Sequence, residues 1–194
     1  MAITKWKADP AHSEVQFRVR HLMITTVTGY FRKFDVYVET EDEDFTKAKT
    51  IVFTADLDSI DTNNAQRDTH LKSEDFFDAE KYGELKFIGQ EFDPDGNCCQ
   101  LHGELTIRDI TKPVTVHVEM AGIVKDPWGQ TKAGFTVTGS IRRKDFGLTW
   151  DAMTEAGQVV VSNEIKLHAE IQLVKQAHED VKPAMTAELV QQQD

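Results

Sequence analysis

The chain has 194 residues, enough for one domain with a core of its own. Apolar residues make up 40% and charged residues 28%, the balance of an ordinary globular protein. Lys and Arg number 22 against 33 Asp and Glu, a net charge of −11 that argues against nucleic acid and anionic lipid surfaces as partners.

The N-terminal stretch to Asp9-Pro10 has no apolar leader, so a cytoplasmic location is the expectation; a trimmed leader would make it periplasmic. No apolar run approaches the ~20 residues of a membrane-spanning helix, and the chain is not expected to be an integral membrane protein. Alternation of period two then dominates. Val15, Phe17, Val19 and His21 alternate with Glu14, Gln16, Arg18 and Arg20. The next strand spans the region from Gly29 to Val38, and its apolar parity shifts between Phe31 and Phe34, which predicts a bulge or bend. Ile51, Phe53, Ala55 and Leu57 form a third apolar face.

Residues 62–82 break the pattern with helical cues. Thr62 or Asn63 is placed to cap a first helix ending at Leu71, and Ser73 a second containing Phe76 and Phe77. Alternation resumes at Leu85, Phe87 and Phe92. It continues through Leu101 to Ile107, Val114 to Met120, Phe135 to Ile141 and Ile165 to Leu173. The turn signals Asp93-Pro94-Asp95-Gly96-Asn97 and Asp126-Pro127-Trp128-Gly129 imply antiparallel neighbours. A polar tail, residues 176–194, follows a single domain over residues 1–175.

This is an all-β chain of eight antiparallel strands, which close as a sandwich or a barrel. The small inward residues Ala55, Gly103, Gly139 and Ala169 predict either tapered packing or room for an elongated guest.

Several segments in order resemble the YceI-like family of lipocalin-like, polyisoprenoid-binding proteins. They are Asp9-Pro10-Ala11-His12-Ser13, Val27-Thr28-Gly29-Tyr30-Phe31, Arg67-Asp68-Thr69-His70-Leu71, Gly103-Glu104-Leu105-Thr106-Ile107, Thr111-Lys112-Pro113-Val114 and Lys144-Asp145-Phe146-Gly147. The resemblance spans roughly residues 6–174. Gly83 stands where the family usually has proline, and Ile110 where it usually has glycine. The resemblance implies an extended eight-stranded antiparallel lipocalin-like barrel with a short helical segment near one end. It also implies an isoprenoid or quinone-type lipid as partner, no catalytic residue, no metal and no cofactor. A homodimer is a state it allows.

The expected lumen residues are Val15, Phe17, Val19, Phe31, Phe34, Phe53, Ala55, Leu105, Ile107, Phe135, Val137, Leu167, Ala169 and Ile171. Leu71, Phe76 and Phe77 are expected over the mouth, with His21 and Asn163 as polar candidates. Arg67, Asp68 and His70 read as a structural cluster, and Arg143 with Asp145 as a turn-fixing pair. Two rival readings remain: a packed scaffold module without a pocket, and a hydrolase or metal enzyme built on His12, His21, His70, Asp9 and Asp145. Those residues have no ligand spacing, and no nucleophile elbow is present. The vicinal Cys98 and Cys99 read as an incidental reduced pair, with thiol sensing as the alternative.

Overall fold

The computed structural model describes residues 2–95, 98–157 and 159–177. The polar tail lies outside them from residue 178 on, as does the turn at 96–97. The Cys98 side chain is likewise outside; Cys99 is a free, half-buried thiol.

The alternating segments form eleven strands. They are β1 Ile3–Ala8, β2 Glu14–His21, β3 Thr25–Phe31, β4 Phe34–Glu41, β5 Asp44–Asp56, β6 Ile60–Asp61, β7 Glu84–Asp95, β8 Cys98–Ile107, β9 Ile110–Lys125, β10 Thr131–Arg142 and β11 Val161–Lys175. The first six are half-strands. β1 and β2 both run antiparallel along β11. β4 pairs with β1 and β3 with β2, and β5 and β6 pair with β4 and β3. Joining these three pairs of halves leaves eight strands, each antiparallel to the next, and β11 closes the ring onto β1. The result is the eight-stranded antiparallel barrel, not the sandwich.

The first strand is longer than its alternation from Glu14 onward predicts. β1 precedes it, with Thr4 and Trp6 buried between the more exposed Ile3, Lys5 and Lys7. Residues 9–13 bulge between β1 and β2, five residues opposite Ile171 and Gln172. Gln172 holds the bulge: its N–H donates to Ser13 Oγ at 2.9 Å and its Nε2 to Asp9 Oδ2 at 3.0 Å, while Asp9 N–H donates to its carbonyl at 2.8 Å. The bend expected between Phe31 and Phe34 falls at Arg32–Lys33, where β3 gives way to β4.

The helical segment crosses one end of the barrel. Helix α1, Ala65–Lys72, is capped by Asn64, whose Oδ1 accepts from Arg67 N–H at 2.9 Å. The cap is therefore one or two residues later than expected. Thr62 is occupied elsewhere: its N–H and hydroxyl both donate to Asp68 Oδ1, and Arg67 Nε donates to its hydroxyl. Ser73 ends α1 instead of starting a second helix, and its hydroxyl donates to His70 O at 2.7 Å. Helix α2 is only Ala79–Tyr82, so Phe76 and Phe77 sit on the turn before it. Gly83 then takes a φ of 67°, which a proline ring locked near −65° cannot adopt.

The opposite end is filled. Phe45 packs against Trp6 in a tilted contact and against Phe135 edge-on, with ring centroids 4.8 Å apart at each contact, among Val36, Val38, Ala133, Ile171 and Leu173. Trp6 is fully buried, and its indole N–H donates to Thr40 Oγ1 at 3.0 Å. Trp6→Ala removes that plug, and a loss of about 3–5 kcal/mol of unfolding free energy is expected. Equilibrium denaturation by urea checks it; a loss below about 1 kcal/mol would contradict the packing described.

Candidate functional site

Alternate residues of every strand face the barrel axis. Between the aromatic plug and the helices they enclose a cavity of about 260 Å³. Val15, Phe17 and Val19 of β2 line it, with Phe31 of β3 and Phe53 of β5. Leu105 and Ile107 of β8, Val137 of β10, and Leu167, Ala169 and Ile171 of β11 complete the expected wall. Leu71, Phe76 and Phe77 cover the helical end. The Phe31 and Phe77 rings meet edge-on at 6.3 Å, which ties the cover to the wall.

Five expected residues do not line this space. Phe34 and Phe135 do not reach the cavity: Phe135 is part of the aromatic plug, and Phe34 packs between the plug cluster and the main core. Ala55 is fully buried in the core with Leu57 and Ile60. His21 lies at the rim, where β2 turns into β3 and pairs with Thr25 and Val161. Asn163 faces an outer groove, and its Oδ1 accepts from Lys144 N–H at 3.1 Å.

Residues that sequence reasoning left out complete the wall: Ile51, Leu85, Phe87, Leu101, Val114, Val116, Ile141, Leu148, Val161 and Ile165 among them. Most lie on the same alternating faces, so the signal was present. The small positions behave differently from one another. A Cβ on Gly103 would strike the Phe87 ring, and one on Gly139 would meet Val116 Cγ1 at 3.0 Å. Those two glycines admit neighbours, whereas Ala169 leaves open space.

Three polar residues belong to the wall: Gln16, His168 and Arg143. Gln16 and His168 are register partners whose polar atoms bond surface residues, Glu14 and Arg18 for one and Glu170 for the other. Arg143 is 2% exposed. Its guanidinium donates to the carbonyls of Leu148, Trp150, Val161 and Ser162 and to Asp151 Oδ1. Asp151, not the expected Asp145, is its charge partner. The guanidinium is therefore saturated and ties the loop after β10 to the start of β11.

At the helical end, His70 stands edge-on to Phe76 and Trp150 at 5.1 and 5.0 Å, and its Nε2 lies 2.9 Å from Asp75 Oδ2. Arg67 and Asp68 serve the Thr62 network, the structural role expected of them. His12 Nδ1 lies 2.8 Å from Asp9 Oδ2. This contact leads the causes that hold the Asp9 carboxyl below its ordinary range. It belongs to the bulge, and neither residue lines the cavity. No group of three or more His, Cys, Asp or Glu able to hold a metal is found among the described residues, and none of their helices is long and apolar enough to cross a membrane.

The YceI-like domain family matches residues 6–173. A UPF0312 protein of Staphylococcus epidermidis is 37% identical over 168 residues, covering 86% of this chain and 95% of its own. The crystal structure of the Campylobacter jejuni YceI protein, 28% identical, superposes with a TM-score of 0.69 over 81% of this chain and 90% of its own. A polyisoprenoid-binding domain from Saccharophagus degradans, 12% identical, shares the fold with a TM-score of 0.65 over 88% and 98%.

The Asp151 carboxyl is held below its ordinary range, first by the hydrogen bond from Lys144 Nζ and then by Arg143. With a folded pKa below the unfolded value of ~3.9, Asp151 contributes fully above that value, and its contribution is lost as the pH falls through the folded pKa. Asp151→Asn is expected to lower the melting temperature at neutral pH and flatten the acid side of the stability curve. Thermal melts from about pH 7 to about pH 3 check this; an acid limb as steep as that of the parent would contradict it. Arg143→Met, which strips Asp151 and four carbonyls of their donor, is expected to be destabilising by about 3–5 kcal/mol.

Proposed function

We propose, from the premise that this chain belongs to the YceI-like family, that it is a non-catalytic protein that sequesters or carries an isoprenoid lipid. The observation that supports this reading is the cavity: its wall is built almost wholly of apolar side chains, and its polar members are already bonded elsewhere. The Saccharophagus degradans domain of the same fold is described as polyisoprenoid-binding.

The chemistry fits. A prenyl chain offers almost no hydrogen-bonding group, so a site for it needs shape and dryness more than polar partners. Each buried methylene-sized group contributes ~0.8 kcal/mol. A few isoprene units then outweigh the ~4–15 kcal/mol lost on association. Discrimination between tails is weak, since one methylene changes binding by only ~1–3 kcal/mol. Catalysis would need a polar reacting group at the cavity wall. The polar groups that lie there are committed elsewhere: the Arg143 guanidinium to Asp151 and main-chain carbonyls, His168 to Glu170, and Gln16 to Glu14 and Arg18.

Exchange through the helical mouth requires the cover formed by Leu71, Phe76 and Phe77 to move. Organic extraction of the purified protein followed by mass spectrometry is expected to release a prenyl compound. In a second test, Ala169→Phe fills the cavity from β11. It is expected to leave the melting temperature unchanged or raised and to weaken uptake of added geranylgeraniol by about tenfold or more. A preparation that neither carries nor takes up any prenyl compound would overturn the reading.

A further inference from the structure

The hydrogen-bonded wall of the barrel parts on one side near the helical end. β9 and β10 pair from Thr131↔Lys125 up to Thr138↔His117, and there the ladder stops. Both strands continue, β9 from Ile110 and β10 to Arg142. The flanking seams keep their bonds to the end: β8 pairs with β9 up to Ile107↔Ile110, and β10 with β11 up to Arg142↔Glu164. Val116 packs on Gly139 at the fork. Above it, β9 carries Pro113, which has no N–H to give to a partner strand.

Outside the parted seam lies a groove of about 910 Å³, lined in part by Phe146 of the turn that follows β10. Val114 and Ile141 line both this groove and the lumen, one on each side of the parted seam. The groove differs in chemistry from the lumen. Lys112, Ser140, Arg142, Asp145, Asn163 and Glu164 face it. Two cations are balanced by two carboxylates, so the groove has no net charge to offer.

Size favours a second compartment. The lumen, at about 260 Å³, is smaller than the ~300–1,000 Å³ of sites that take drug-sized ligands. One of its ends is closed by Trp6, Phe45 and Phe135. We propose that the lipid lies across the barrel wall: its hydrocarbon fills the lumen, passes between Val114 and Ile141, and presents an uncharged polar head to the outer groove. This rests on the lipid-binding reading and specifies it further. An alcohol or a quinone head matches a neutral, hydrogen-bonding groove. A diphosphate would bring uncompensated charge to it, on a chain already carrying −11.

The test uses the unaltered, isotope-labelled protein and a geranylgeranyl amide whose head carries a nitroxide. Paramagnetic broadening of backbone amides is expected to be strongest at Lys112, Ser140 and Asn163 and weaker at Leu71, Phe77 and Trp150. Broadening strongest at the latter three would place the head at the helical end and overturn the inference while leaving the lipid-binding reading intact. Absence of broadening anywhere would overturn both. In competition against the same nitroxide compound, geranylgeraniol is expected to displace it at about tenfold or more lower concentration than geranylgeranyl diphosphate. Equal or reversed potency would overturn the assignment of an uncharged head.

Discussion

Ring closure governs this molecule. β11 pairs with β10 on one side and with both β1 and β2 on the other, and that double pairing turns a sheet into a cylinder. Closure removes the edges that would otherwise recruit other chains. It also creates an interior that water enters only through openings, and side-chain size decides whether that interior is solid or hollow. At one end three aromatic rings pack together and make it solid. Around Ala169 and Val137 the side chains are too small to meet across the axis, and a cavity remains. The Asp9–Ser13 bulge lets one strand follow β11 along its length while changing direction, which is why Gln172 is bonded from so many sides.

Much of this was legible in the sequence, for a physical reason. Period-two alternation reports which face of a strand is dry, and on that basis the inward residues of β2, β8, β10 and β11 could be named. Alternation does not report height along the axis. Phe34 and Phe135 are apolar and part of the packed interior as expected, yet Phe135 belongs to the plug and Phe34 packs next to it, and neither lines the cavity. Ala55 shows the same limit within the core itself. β1 was missed although Thr4 and Trp6 alternate correctly, because the segment is only six residues long.

Polar partners were harder to read. Thr62, Asn63 and Asn64 are all competent helix caps, and the choice fell to Asn64 because Asp68 and Arg67 hold Thr62. Arg143 finds Asp151 eight positions away, where the loop folds back, and not its neighbour Asp145. Local spacing carries no information about such a return. The parted seam between β9 and β10 had one trace in the sequence, Pro113 just before the alternation that starts at Val114; the structure extends β9 back through it to Ile110, and its meaning emerges only beside the ladder that stops at His117.

The structure divides its labour by chemistry. An apolar lumen holds what water rejects, an aromatic plug fixes one end, and a helical cover with a saturated arginine shapes the other. The most direct measurement is diffraction from crystals of the protein grown with geranylgeraniol. Continuous density for the chain, running along the lumen past Val137 and Ala169, is the predicted result. A lumen that stays free of the alcohol, or one closed by rotation of its own phenylalanines, would contradict the account.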